Sequence, residues 1–144
     1  MKKKLKIKNK IYNYYSRFKN ATQKQLDECF IDACTFQRFD EIKYLLTSPE
    51  LKIHADVHTL EDIGFAHLSG DKPGGKEIIE YLIFEYNIEK TPFIEEILGF
   101  EDYLSQKVKD LSQEYKKMFE ARDLKNSLTN ELEDKNNTNK KAKL

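Results

Sequence analysis

Residues 70–76 come close to spelling a phosphate-binding loop. Gly70, Gly75 and Lys76 have the spacing of the motif whose backbone N–H groups cradle phosphates. That motif needs a serine or threonine after the lysine to hold magnesium. Here Glu77 follows, an acid that repels phosphate. The segment reads instead as a glycine-proline turn ahead of a helix. His54, Asp56 and His58 alternate along another short stretch. Imidazole and carboxylate suit zinc or copper, and three such groups on a loop can converge. His67 has no spacing that fixes it as a fourth ligand, and no metal is expected. Cys29 and Cys34 stand five apart, about 140° around a helix, which argues against a shared site. Cys34 reads as a small core residue, and no histidine or acid is matched to it as a base. The neighbouring acids Glu61-Asp62 and Glu95-Glu96 point to different sides of a helix and suit helix starts better than acid-base work. Nucleophile, base and oxyanion donors never occur together. No catalytic residue and no cofactor is expected, and the chain reads as a non-enzyme.

Binding chemistry is better represented. The net charge of zero hides a polarised layout. Residues 1–24 carry nine basic side chains and no acid, whereas residues 25–100 carry sixteen acids and six bases. The basic head supplies Lys3, Lys4, Lys6, Lys8, Lys10 and Arg17, interleaved with Tyr12, Tyr14, Tyr15 and Phe18. Lysines for phosphate and aromatics such as Tyr14 for stacking are the ingredients of nucleic-acid binding. The acidic body works against that reading and against an anionic membrane, and invites a basic protein surface instead. Two cysteines do not make a disulfide framework, so a reducing, cytoplasmic setting is expected. No run approaches the roughly 18 apolar residues of a membrane span. The basic start is interrupted by Lys6, Lys8 and Lys10 and lacks the apolar stretch of a signal peptide.

The elements that must position these residues are all helical by periodicity. Ile11, Tyr14, Tyr15 and Phe18 line one face of a helix over residues 10–19. Thr22 and Gln25 have capping-box spacing, ahead of Leu26, Cys29, Phe30 and Ala33. A helix near residues 39–47 buries Phe39, Ile42, Leu45 and Leu46 and stops at Ser48-Pro49. A polar loop covers residues 48–59, and Thr59 caps a helix over residues 60–69. Residues 76–86 form a further helix with Ile78, Ile79, Leu82, Ile83 and Tyr86 inward. Thr91-Pro92 starts a short helix and Gly99 ends it. A long helix follows over residues 101–133, with a polar, disordered tail from Asp134. Its apolar residues Leu104, Val108, Leu111, Tyr115 and Met118 alternate at spacings of four and three, a seam that could also serve a homodimer.

Two of these helices repeat. Residues 40–46 (Asp40, Glu41, Ile42, Lys43, Tyr44, Leu45, Leu46) align with residues 77–83 (Glu77, Ile78, Ile79, Glu80, Tyr81, Leu82, Ile83) at an offset of 37. Here the chain resembles the ankyrin-repeat family, whose period is about 33 residues and whose second helix reads in this way. Ala55, Asp56, Val57 and His58 echo the family's connecting loop, where the aspartate satisfies backbone groups rather than a metal. Ala33-Cys34 echo its paired small residues. The likeness covers residues 22–86. It departs at residues 64–67, which replace the usual helix start, and at residues 71–75, which widen the turn. Residues 81–94 and 118–132 resemble the closing segment of lysine- and asparagine-rich bacterial and phage-type members.

The resemblance implies an all-α fold: a short ankyrin-like stack of helical hairpins with flanking capping helices and a long C-terminal helix. Residues 1–21 would be a basic arm and capping helix, 22–99 the hairpins, 100–133 the long helix and 134–144 the tail. It also implies a protein–protein interaction module, an inhibitor or adaptor of a larger bacterial or phage protein. Such arrays meet partners at loop tips, here His58, Thr59, Leu60, Glu61 and Asp62. Nucleic-acid binding through the basic head is the alternative.

Overall fold

The computed structural model describes residues 15–70, 73–99 and 106–142. Lys3, Lys4, Lys6, Lys8, Lys10, Tyr14 and Leu104 lie outside them. Among the described residues the structure is all-helical, with six α-helices. The chain divides after Leu68 into two compact units. Among the described residues no helix is long and apolar enough to cross a membrane.

In the first unit, helical backbone at Tyr15 and Ser16 gives way to a turn at Arg17, where the longer expected helix stops. Helix α1 spans Gln23–Thr35. Its start is the expected capping box: the Gln25 N–H donates to Thr22 Oγ1 at 3.2 Å, and the Thr22 N–H donates to Gln25 Oε1 at 2.9 Å. Two orphan donors are thereby satisfied by residues three apart. Leu26, Phe30, Ala33 and Cys34 form the buried face. Gln37 closes the helix in the left-handed region (φ 55°), where glycine is the usual occupant. The Arg38 N–H then reaches back to the Ala33 carbonyl at 2.8 Å.

Helix α2 spans Phe39–Thr47 and pairs with α1. Ile42, Leu45 and Leu46 are buried as expected, and so is the charged Glu41. Tyr15 stacks on Tyr44 with ring centroids 4.6 Å apart. The loop that follows is polar outside but buries Leu51, Ala55 and Val57, and the Ala55 N–H donates to the Leu45 carbonyl at 2.9 Å.

Helix α3 is assigned over Thr59–Leu68, but Leu60, Glu61 and Asp62 have φ of 50°, 57° and 62°. These three residues are left-handed, so right-handed helix begins only after Asp62. The expectation that Thr59 caps a helix starting at Leu60 is corrected on that point. Gly64, Phe65 and Leu68 are buried, and α3 packs on α1.

Gly64 is what lets the two helices approach. A Cβ at this position would stand 2.8 Å from Phe30 Cε1 and 3.1 Å from Cys34 Sγ. Phe30 and Cys34 are fully buried and cannot swing away. Gly64→Ala gains helix propensity but overpacks this crossing. A net loss of about 1–2 kcal/mol is expected in urea unfolding. An unchanged urea midpoint would show that the crossing has slack.

In the second unit, Gly74 (φ 89°) precedes α4, Gly75–Glu80. The helix runs directly into one π turn, Tyr81–Glu85, in which the Tyr86 N–H donates to the Tyr81 carbonyl at 2.9 Å. Ile78, Ile79, Leu82 and Ile83 are buried, as the periodicity requires. Asn87 (φ 60°) ends the segment, and the Ile88 N–H caps the Leu82 carbonyl at 2.9 Å. The short helix α5, Pro92–Gly99, starts at Thr91, whose hydroxyl accepts the Ile94 N–H at 3.2 Å.

Helix α6 spans Gln106–Ala142, running past the expected end at Glu133 into the segment read as disordered. Its buried positions are Ser112, Tyr115, Phe119 and Arg122. Phe119 replaces Met118 on the seam, because the apolar stripe alone does not say which of two adjacent residues meets the neighbouring helix. Helices α4 and α5 and the π turn all pack on α6. The helices of the expected second hairpin, α3 and α4, therefore belong to different units.

Candidate functional site

The strongest local feature is the loop tip between α2 and α3. Asp27 on α1 anchors it: one carboxylate oxygen, Oδ1, accepts the Asp56 N–H at 2.8 Å and the Gln23 side-chain amide at 2.8 Å. The same Gln23 amide donates to the His54 carbonyl at 2.9 Å. Asp56 Oδ1 accepts the His58 N–H at 2.9 Å, the backbone-satisfying role its place in the loop implies. The His58 ring donates from Nδ1 to Asp62 Oδ1 at 2.5 Å. The Asp62 carboxylate is only 1% exposed and supports the tip from inside. His58 and Thr59 are half-buried, and Leu60 and Glu61 face solvent, Leu60 at 70% exposure.

Three consecutive non-glycine residues in the left-handed region cost on the order of 3 kcal/mol in total. The ties to Asp27 and the buried His58–Asp62 contact are what offset it. The result is a rigid point on which one leucine stands in water beside one glutamate.

A second cluster lies at the turn between α1 and α2. Glu41 is 97% buried by its side chain, with Arg38 Nε 2.8 Å from one carboxylate oxygen and Arg17 Nη2 3.6 Å from the other. The arginines themselves keep 53% (Arg17) and 44% (Arg38) of their side chains exposed. Arg17 lies over the Phe18 ring at 4.6 Å, and Arg38 lies 5.6 Å from the ring of Phe36, which is 71% exposed. Of the residues named in the nucleic-acid alternative, Arg17 is the one the structure describes. Glu41 and Arg38 were missed in the sequence. Their spacing of three across the start of α2 was the available signal.

The remaining chemical candidates are engaged in the fold. Lys76 of the glycine-rich segment pairs with Glu114 at 2.8 Å, which raises its pKa. His54 Nε2 meets the Ser48 carbonyl at 2.7 Å, and His58 is held by Asp62. Among the described residues no group of three or more ligating side chains is placed to hold a metal. Burial pushes the Cys34 thiol up to about 12 and raises Cys29 as well, leaving both as neutral thiols at neutral pH. Beyond Arg122, Leu124, Leu128 and Leu132 recur every fourth residue of α6 and remain 51–63% exposed. Comparison with protein-family models, with curated proteins and with solved structures finds no match to this chain.

Proposed function

We propose that the chain is a protein-binding module, acting as an adaptor or inhibitor, whose contact point is the tip formed by Leu60 and Glu61. One observation carries this reading: Leu60 is 70% exposed at the head of three left-handed residues. An exposed leucine costs nothing special by itself. A leucine held out by strained backbone, on a loop tied to α1, is arranged for contact. Strain of this kind concentrates at ligand clamps, and a pre-ordered apolar anchor binds with little entropy loss. The excess of acids over residues 25–100 favours a partner with a basic rim. The sequence resemblance of residues 22–86 to ankyrin repeats points the same way, since such arrays meet partners at their tips.

Leu60→Gly separates contact from folding. Glycine adopts positive φ freely, so this variant is expected to gain about 1 kcal/mol of stability. Loss of the anchor is expected to weaken partner capture about tenfold or more. The measurement pairs urea unfolding with quantitative cross-linking in lysate of the cell that makes the protein. Wild type, Leu60→Gly and Glu61→Lys are compared. A set of captured proteins that is identical in all three would reject the tip as the contact point.

A further inference from the structure

We infer that the α1–α2 turn carries a separate site for single-stranded nucleic acid, in which Arg17 and Arg38 take phosphates and Phe36 takes a base. It does not depend on the loop tip or on the protein-binding reading. Three independent observations meet at this turn.

The first is anchoring. Arg38 Nε and Arg17 Nη2 stand 2.8 Å and 3.6 Å from the carboxylate of Glu41, which is 97% buried. A surface arginine ordinarily loses much rotamer freedom when it grips a phosphate. Here both guanidinium groups lie against one buried carboxylate, while about half of each side chain remains in solvent. The second is stacking surface. Phe36 is 71% exposed, the most exposed of the large apolar side chains described, and the Arg38 guanidinium lies 5.6 Å from its ring. A flat ring beside a guanidinium plane is the pair on which an unpaired base stacks, and every base has such a face. An open hollow of about 280 Å³, lined by Tyr15, Arg38, Phe39, Asp40 and Glu41, adjoins it.

The third is chain connection. Tyr15 is stacked on Tyr44 and lines the same hollow as Arg38, and Arg17 follows it by two residues. Residues 1–24 contain nine lysines and arginines and no acid. Duplex nucleic acid hides its base faces, so the stacking ring selects for single strands. Asp40 and the buried Glu41, both lining the hollow, are the opposing charges.

The test uses the full chain and fluorescence anisotropy. The probes are fluorescein-labelled oligothymidylate and oligouridylate of about 12 nucleotides, followed over a salt series. Duplex DNA and polyglutamate serve as competitors. Expected are single-strand binding that weakens with salt and poor competition by both duplex and polyglutamate. Phe36→Ala should bind about tenfold more weakly, as loss of one stacked base requires. Arg38→Gln should lower the salt slope by about one. Asp40→Asn should bind more tightly by roughly threefold, since one repelling charge is gone. Phe36 and Asp40 are exposed, so these two variants keep the fold whatever Arg38→Gln does, and circular dichroism checks it. The proposal is overturned by absence of single-strand binding at low salt. It is equally overturned by binding that Phe36→Ala and Asp40→Asn leave unchanged, or by polyglutamate competing as well as the oligonucleotides.

Discussion

Arg122→Ala is expected to cost about 3 kcal/mol of folding free energy. Arg122 shares the buried face of α6 with Ser112, Tyr115 and Phe119, and its side chain is 10% exposed. Its Nη1 donates to the carbonyl of Ile88, a residue itself 1% exposed, just past the end of the π turn. Its Nε and Nη2 donate to Asp123 at 3.1 Å and 3.0 Å, and its guanidinium lies over Phe119 at 4.9 Å. Truncation removes a charged hydrogen bond, worth roughly 1.5–3 kcal/mol, and leaves a buried acceptor without its donor. It also removes the packing of the stem on a buried ring. Arg122→Met restores the stem without the donors and is expected to recover about 1 kcal/mol of the loss. Arg122→Lys keeps the charge, but one ammonium cannot serve both the Ile88 carbonyl and Asp123, so it should fall between the two. Urea unfolding followed by circular dichroism measures all three. A loss below about 1 kcal/mol for Arg122→Ala would mean that water replaces the guanidinium at Ile88.

The second large effect is alkaline. Burial pushes the Cys34 thiol from its ordinary 9.0 up to about 12. It also pushes the Tyr115 hydroxyl from 10.0 up to about 12, with Glu114 and Glu80 adding to the rise. Both groups are acids whose pKa is higher folded than unfolded. The folded chain therefore keeps protons that the unfolded chain releases. Stability is whole below about pH 9 and falls as pH climbs toward 12, by on the order of 3 kcal/mol at about pH 11. Tyr115 gives the internal control. Among the described residues its buried hydroxyl has no hydrogen-bond partner, so Tyr115→Phe should raise stability by about 1 kcal/mol at neutral pH. The same variant should lose less stability on alkalisation than the wild type, because one of the two titrating groups is gone. Urea midpoints recorded from about pH 8 to about pH 11 decide it. A flat profile in the wild type would show that water reaches both groups.

The two effects, with the tip and the arginine face, divide by how far in the chain their causes lie. What the sequence determined alone is local. The capping box at Thr22 and Gln25 and the Thr91-Pro92 start formed as read, because each satisfies free N–H groups with an atom three residues away. Helix α2 begins and ends where expected, stopped by Ser48-Pro49. The buried face of Ile78, Ile79, Leu82 and Ile83 follows from a period of 3.6 residues and survives even the π turn within it. The Asp56 loop geometry was also legible, since its carboxylate serves an N–H two residues on.

Tertiary structure alone decided the rest. Helix propensity favours a right-handed start at Leu60. Ties from Gln23 and Asp27, some thirty residues earlier, accompany a left-handed run there instead. Glu41 and Arg122 carry charge on the buried faces of their helices, Glu41 beside Ile42, Leu45 and Leu46 and Arg122 in line with Tyr115 and Phe119. They are buried because Arg17 and Arg38 reach the one and the Ile88 carbonyl receives the other, and Arg17 and Ile88 come from distant parts of the chain. The repeat between residues 40–46 and 77–83 was visible as pattern, but its helices pack on α1 and α6 in different units. Periodicity says which face of a helix is apolar. Only packing says which neighbour covers it, and therefore which of the charged groups near that face are left to bind something else.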